Sequence, residues 1–187
     1  LTDEDVLGTI SYSWSNGDTG ATTTLGQSDV GNTITVTASY TDSLNTAESV
    51  SSAATSSVAN VNDAPSGSVT ISGTAVEDGV LTAANTLTDE DVLGSFSYQW
   101  SRAGSAISGA TSSSYELVQS DVGSTIKVTA SYTDGQGGAE SVSSELTEGV
   151  VNVNDAPSGS VTISGTAVED GFLTAVNTLT DEDVLGT

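Results

Sequence analysis

Residues 60–94, NVNDAPSGSVTISGTAVEDGVLTAANTLTDEDVLG, recur at 152–186 with 33 of 35 positions identical, at an offset of 92 residues. The segment TITVTASYTD at 33–42 meets TIKVTASYTD at 125–134 at the same offset, whereas Trp14 meets Trp100 at an offset of 86. The first repeat is therefore six residues shorter between its Trp and its Asp-Val-Gly phrase. A period of this length is too long for a solenoid coil and implies a whole domain per repeat. With NDAP as the junction, 63–154 is one complete unit, 1–62 the C-terminal two-thirds of another, and 155–187 the N-terminal third of a next. The phrase LTDEDVLG stands at 1–8, 87–94 and 179–186, so on this phasing the chain is expected to be an excerpt of a longer repeating polypeptide.

Inside the complete unit the apolar residues alternate with polar ones, the period of half-buried strands. Val69 and Ile71 follow it, as do Phe96, Tyr98 and Trp100, then Ile126, Val128, Ala130 and Tyr132. A further strand is expected to carry Val150 or Val151 and Val153. Turn formers separate these runs: Ser72-Gly73, Asp78-Gly79, Gly104, Ser108-Gly109, and Gly135 to Gly138. Asn16-Gly17, just after Trp14, predicts a tight hairpin. About seven short strands per unit, with no helical periodicity, predict an all-β chain of tandem antiparallel Ig-like or cadherin-like β-sandwiches. Trp14 and Trp100 are in phase with inward-facing aromatic neighbours, which favours core positions over exposed sugar-stacking platforms.

Charge narrows the function. Against 25 Asp and Glu stand only Arg102 and Lys127, a formal net charge of −23 that would be repelled by nucleic acid. No apolar run of about 18 residues exists, so no membrane insertion is expected. The N-terminus shows no basic and then apolar leader pattern, and any secretion signal is expected outside this segment. Cys, Met and His are absent, which excludes disulfides, thiolate chemistry and imidazole ligands. A nucleophilic Ser would lack its usual base, and no enzymatic activity is expected. Self-repulsion at such a charge destabilises a compact state. Without disulfides, oxygen-ligated Ca2+ is the staple this composition can supply.

The acids gather at loop positions set by the repeat: Glu77-Asp78-Gly79, Asp89-Glu90-Asp91, Asp134-Gly135, and Asn152-Val153-Asn154-Asp155. Calcium takes six to eight oxygens from carboxylates, amides and carbonyls, and an Asp-x-Asp loop offers two carboxylates. Asp29 and Asp121, in QSDV phrases before a strand, are instead expected to form turns by bonding nearby amides.

In this order the motifs resemble the cadherin-like and Ig-like tandem repeats of large bacterial surface adhesins of the RTX, type I-secreted kind. Glu77 resembles the family's first-strand Glu; Asp89 and Asp91 with Gly94 and Tyr98 resemble its Asp-x-Asp phrase; Asp134 in SYTDGQG resembles its Ala-x-Asp-x-Gly; NVNDAP at 152–157 resembles its linker. The resemblance implies calcium at domain junctions. One junction would use Asn60, Asn62 and Asp63 with Asp89, Asp91 and Asp134. The next would use Glu77, Asn152, Asn154 and Asp155 with Asp181 and Asp183. Their repeat counterparts Asp3, Asp5, Asp42 and Glu169 join the candidate ligands. The family's first linker Asp is Asn60 and Asn152 here, and its mid-domain Asp-x-Glu has no clear counterpart, Tyr115-Glu116-Leu117 being a loose candidate.

The leading expectation is an extracellular structural spacer, on a cell surface or in a secreted matrix. Calcium would hold neighbouring repeats of the same protein in line and project an adhesive tip. The alternative is a self-assembling fibre or biofilm-matrix subunit, in which other copies complete partial sandwiches by strand addition. A carbohydrate-binding module is the third, with 5% aromatic residues against it.

Overall fold

The structure is a computed structural model, and it describes residues 5–6 and 8–183. The chain divides into two compact units: Leu1–Ala64 with Asp89–Val92 and Asp134–Gly138, and Pro65–Thr88 with Leu93–Thr133 and Ala139–Thr187. Regular structure is nearly all antiparallel strand. The helical exceptions among the described residues are two single 3-10 turns, Gln27–Asp29 and Gln119–Asp121. No helix among the described residues is long and apolar enough to cross a membrane.

The first unit carries a three-stranded sheet in the order β1 (Ser11–Trp14), β2 (Val36–Thr41), β3 (Ala47–Ser51). Asn16-Gly17 makes the expected tight turn after β1. Gly17 N donates to Trp14 O at 3.0 Å with Gly17 at φ 97°, a left-handed conformation that costs glycine nothing.

Among the described residues the second unit holds three sheets, two of which pack on each other. One runs β4 (Val69–Ser72), β5 (Val80–Asn85), β8 (Ser114–Glu116). The other runs β10 (Ala139–Ser143), β9 (Ile126–Thr133), β6 (Ser97–Arg102), β7 (Ser105–Ala106). They share one core in which Leu81 from the first sheet and Trp100, Ile126 and Val128 from the second have no solvent exposure, with Leu117 beside them. This is the sandwich that period-two alternation predicts: one face of each strand leaves water, and two such faces cover each other. Trp100 lies opposite Val128 in the register and stacks on Tyr115 at 5.7 Å. Its indole N–H donates to Ser112 O at 2.9 Å, so the one polar atom of the largest core residue is satisfied. At about 25 cal/mol per Å2, an aromatic side chain of this size contributes roughly 4–6 kcal/mol of transfer free energy.

One expected strand is replaced by something else. Residues 150–151 form two isolated parallel bridges, Val122↔Val150 and Val76↔Val151. Val150 N donates to Ser124 O at 3.0 Å and Val151 N to Ala75 O at 2.9 Å, so consecutive residues bond to different segments and neither ladder can extend.

The hairpin of β11 (Val161–Gly165) and β12 (Leu173–Asn177) repeats the β4–β5 sequence but has no second sheet over it among the described residues. Val161 is 63% exposed, whereas its counterpart Val69 is 4% exposed.

Candidate metal centres

The first centre is built inside the first unit from the loops 60–63, 89–92 and 134–138. Asp89 turns the chain back on itself, its Oδ1 accepting Asp91 N at 2.8 Å. Asp91 is fully buried. Its Oδ2 accepts Asp63 N at 2.9 Å and its Oδ1 accepts Gln27 Nε2 at 2.8 Å. The next residue, Val92, sits at φ 70°, a left-handed conformation that is strained for a β-branched side chain. Gly135 N braces it by donating to Asp91 O at 2.8 Å and Val92 O at 2.9 Å.

Asp134 completes this centre. Its Oδ1 accepts Gln136 N and Gly138 N, each at 2.8 Å, which orients the carboxylate. Its Oδ2 is buried and, among the described residues, has no partner, and the same holds for Asn60 Oδ1. A buried oxygen left without a donor costs about 1–3 kcal/mol, so the Asp134 carboxylate calls for a ligand. Gly138 lets the oxygens gather, because a Cβ there would collide with both Asn62 Oδ1 and Asp134 Oδ2.

The second centre lies inside the second unit and repeats part of this scheme. Asp183 N donates to Asp181 Oδ1 at 3.0 Å, and Asp183 Oδ2 accepts Asp155 N at 2.7 Å, reproducing the Asp89, Asp91 and Asp63 arrangement 92 residues later. Asp183 Oδ1 accepts from Asn152 Nδ2 at 2.7 Å. Glu77 is buried and its Oε2 accepts Val153 N at 3.1 Å. Carboxylate oxygens of Glu77, half-buried Asp155 and exposed Glu182 all lie within 4.8 Å of one another, a group that can hold a metal ion. Like charges at that spacing repel by about 3 kcal/mol per pair at an effective dielectric of about 20, and less where salt screens them. Of the two basic side chains in the protein, Arg102 is engaged by Asp121 instead.

Two glutamines reach into these centres. Gln27 meets Asp91 as above. Gln119, with its amide nitrogen turned to the acids as the hydrogen-bonding pattern requires, donates to both Glu77 carboxylate oxygens and to Asn152 Oδ1, the latter at 3.2 Å. Each stands at the start of a QSD turn whose Asp accepts a backbone N–H: Asp29 Oδ2 from Gly26 N and Asp121 Oδ2 from Val118 N, both at 2.9 Å. Asp29 and Asp121 thus form turns, and the turns aim the glutamines.

The remaining candidates fall elsewhere. Asp3 lies outside the described residues. Asp5 is exposed, and its carbonyl accepts from Ser43 N at 3.3 Å. Asp42 Oδ1 accepts Leu44 N at 2.9 Å and Thr46 N at 2.7 Å, closing the β2–β3 turn. Asn154 is exposed, its Nδ2 on Asp155 O at 3.0 Å, and Glu169 is exposed between β11 and β12. Glu182, Gln27 and Gln119 are the members that sequence reasoning passed over. Glu182 is the middle acid of the Asp-x-Asp phrase, and the two glutamines share an offset of 92 residues in an identical QSDVG phrase.

The donor set is carboxylate and amide oxygen with no imidazole or thiolate in the chain, which suits a hard cation. No family model, no curated protein and no solved structure matches this chain.

Proposed function

We propose that the chain is a stretch of an extracellular structural spacer whose tandem β-sandwiches are stapled by Ca2+. The observation that carries this is the first centre, where the buried Asp134 Oδ2 has no donor among the described residues and lies within a recurring scheme of acidic loops. Calcium fits the reading better than magnesium, because carboxylate and amide oxygens drawn from separate loops suit an ion that tolerates irregular coordination, whereas magnesium demands near-ideal octahedral geometry and gives up its waters reluctantly. Extracellular modules bind at about 10⁻⁴–10⁻³ M, a concentration met outside cells and not in cytosol. In this role the ion neutralises carboxylates that otherwise repel, and its loss turns a stiff connection between sandwiches into a hinge. The resemblance to adhesin repeats supports the same role, projection of a distant adhesive domain.

Small-angle scattering of the 187-residue chain tests it. With millimolar calcium the maximum dimension is expected to lengthen and the distance distribution to sharpen relative to chelator. An unchanged curve rules the spacer mechanism out.

A further inference from the structure

We propose that Gln27 and Gln119 are ion-responsive ligands, whose amide groups hold the carboxylates together through nitrogen when no ion is bound and turn over to present oxygen when one is. This rests on the metal reading above.

The geometry has three parts. At both centres a glutamine amide nitrogen occupies lone pairs of a buried acid, Asp91 at the first and Glu77 at the second. The acids differ while the glutamine position is the same, so the feature belongs to the QSD turn and not to one carboxylate. Near the first centre, Asp134 is 6% exposed and its Oδ2 has no partner among the described residues, so the loop cluster that Gln27 enters retains an oxygen aimed at no donor.

An amide suits this double use. Its NH2 and C=O ends are nearly equal in size, one a donor and the other a ligand oxygen. The terminal torsion of Gln is broad and roughly two-fold, so exchanging the ends costs little. An NH2 facing a divalent cation is repelled, and the oxygen in its place is a hard ligand of the kind calcium takes. A glutamate there would bind calcium harder but would add a further charge to carboxylates already crowded when the ion leaves. The amide therefore sets the affinity low and keeps the ion-free loops folded. The QSD turns hold the backbone still, with Asp121 fixed by Tyr115 Oη at 2.8 Å and Arg102 Nε at 2.5 Å, so only the side chain needs to move.

Calorimetric titration with CaCl2 and thermal melting in chelator, on the full chain and on Gln27→Glu, Gln119→Glu, Gln27→Leu and Gln119→Leu, separate the possibilities. The Glu variants are expected to bind calcium about tenfold tighter, through the added ligand charge, and to melt lower in chelator. The Leu variants are expected to bind about tenfold weaker. The side-chain 15N–1H signals of both glutamines are expected to shift on calcium addition. A glutamine that is only a structural donor would lower melting in both conditions without tighter binding by the Glu variants, and that result overturns the proposal. Calcium binding by the unchanged chain that all four variants leave within about twofold overturns it alone. No binding by the unchanged chain up to about 10⁻² M removes it together with the metal reading.

Discussion

Arg102 Nε lies 2.5 Å from Asp121 Oδ1, joining one of two basic side chains in the whole protein to a carboxylate with no solvent exposure. The same carboxylate also accepts Tyr115 Oη and Val118 N. Removing one partner of a buried pair costs more than the pair contributes, because the other is left unmatched. Asp121→Ala is expected to destabilise the second unit by about 3 kcal/mol, and Arg102→Leu by about 2 kcal/mol, measured by urea denaturation.

Tyr115 gives this cluster a pH signature. Burial pushes its phenol above the ordinary value, and the hydrogen bond to Asp121 reinforces the shift. A folded-state pKa above the unfolded one means the native state holds the proton more tightly. That stability is complete below the unfolded value of about 10 and is lost as pH rises through the folded value. Melting temperature is expected to fall above about pH 10 in the unchanged chain and to fall less steeply in Tyr115→Phe.

Trp100 is fully buried and Trp14 half-buried, although each stands at the same place in its repeat. Trp100→Ala is expected to cost about 3–5 kcal/mol and Trp14→Ala under about 2 kcal/mol, each followed by far-ultraviolet circular dichroism in denaturant.

The loop 91–94 carries two opposite backbone demands. Val92 is exposed at φ 70°, where a β-branched residue is strained and asparagine is not, so Val92→Asn is expected to stabilise by about 1 kcal/mol. A Cβ at Gly94 would collide with Thr133 O, so Gly94→Ala is expected to cost about 2 kcal/mol or more in the same denaturation experiment.

Asp134→Asn tests the proposed calcium site. Calcium at about 100 times its dissociation constant is expected to stabilise the unchanged chain by about 2.7 kcal/mol. The asparagine variant removes the charge on Oδ2, which has no partner among the described residues, and its calcium-dependent rise in melting temperature is expected to shrink while its stability in chelator holds.

Much of this molecule was legible in its residues. Period-two runs at 69–71, 96–100 and 126–132 marked strands, and Asn16-Gly17 marked a turn, because both are local consequences of side-chain direction and backbone freedom. Strand β5 was harder: Leu81 and Ala83 alternate with Thr82 and Ala84, so the polar face is half missing. The break at Val150 and Val151 was not legible, since it depends on which segments flank the chain there.

The acidic loops were legible as clusters and not as centres. Asp89 and Asp91 were marked by spacing, but the entry of Gln27 and Gln119 was not, because each approaches from a turn distant in sequence. Glu182 was hidden by its neighbours, and it joins Glu77 and Asp155 only because the chain returns past the linker.

Residues 69–85 and 161–177 make the division plain. Their sequences differ at two positions, and each forms the same hairpin with the same register, so alternation and turn residues by themselves determined the strands. Leu81 is completely buried while Leu173, its counterpart, is 54% exposed. Hydrophobicity is a property of the side chain, but burial is a property of what covers it, and a covering sheet is supplied only by tertiary structure.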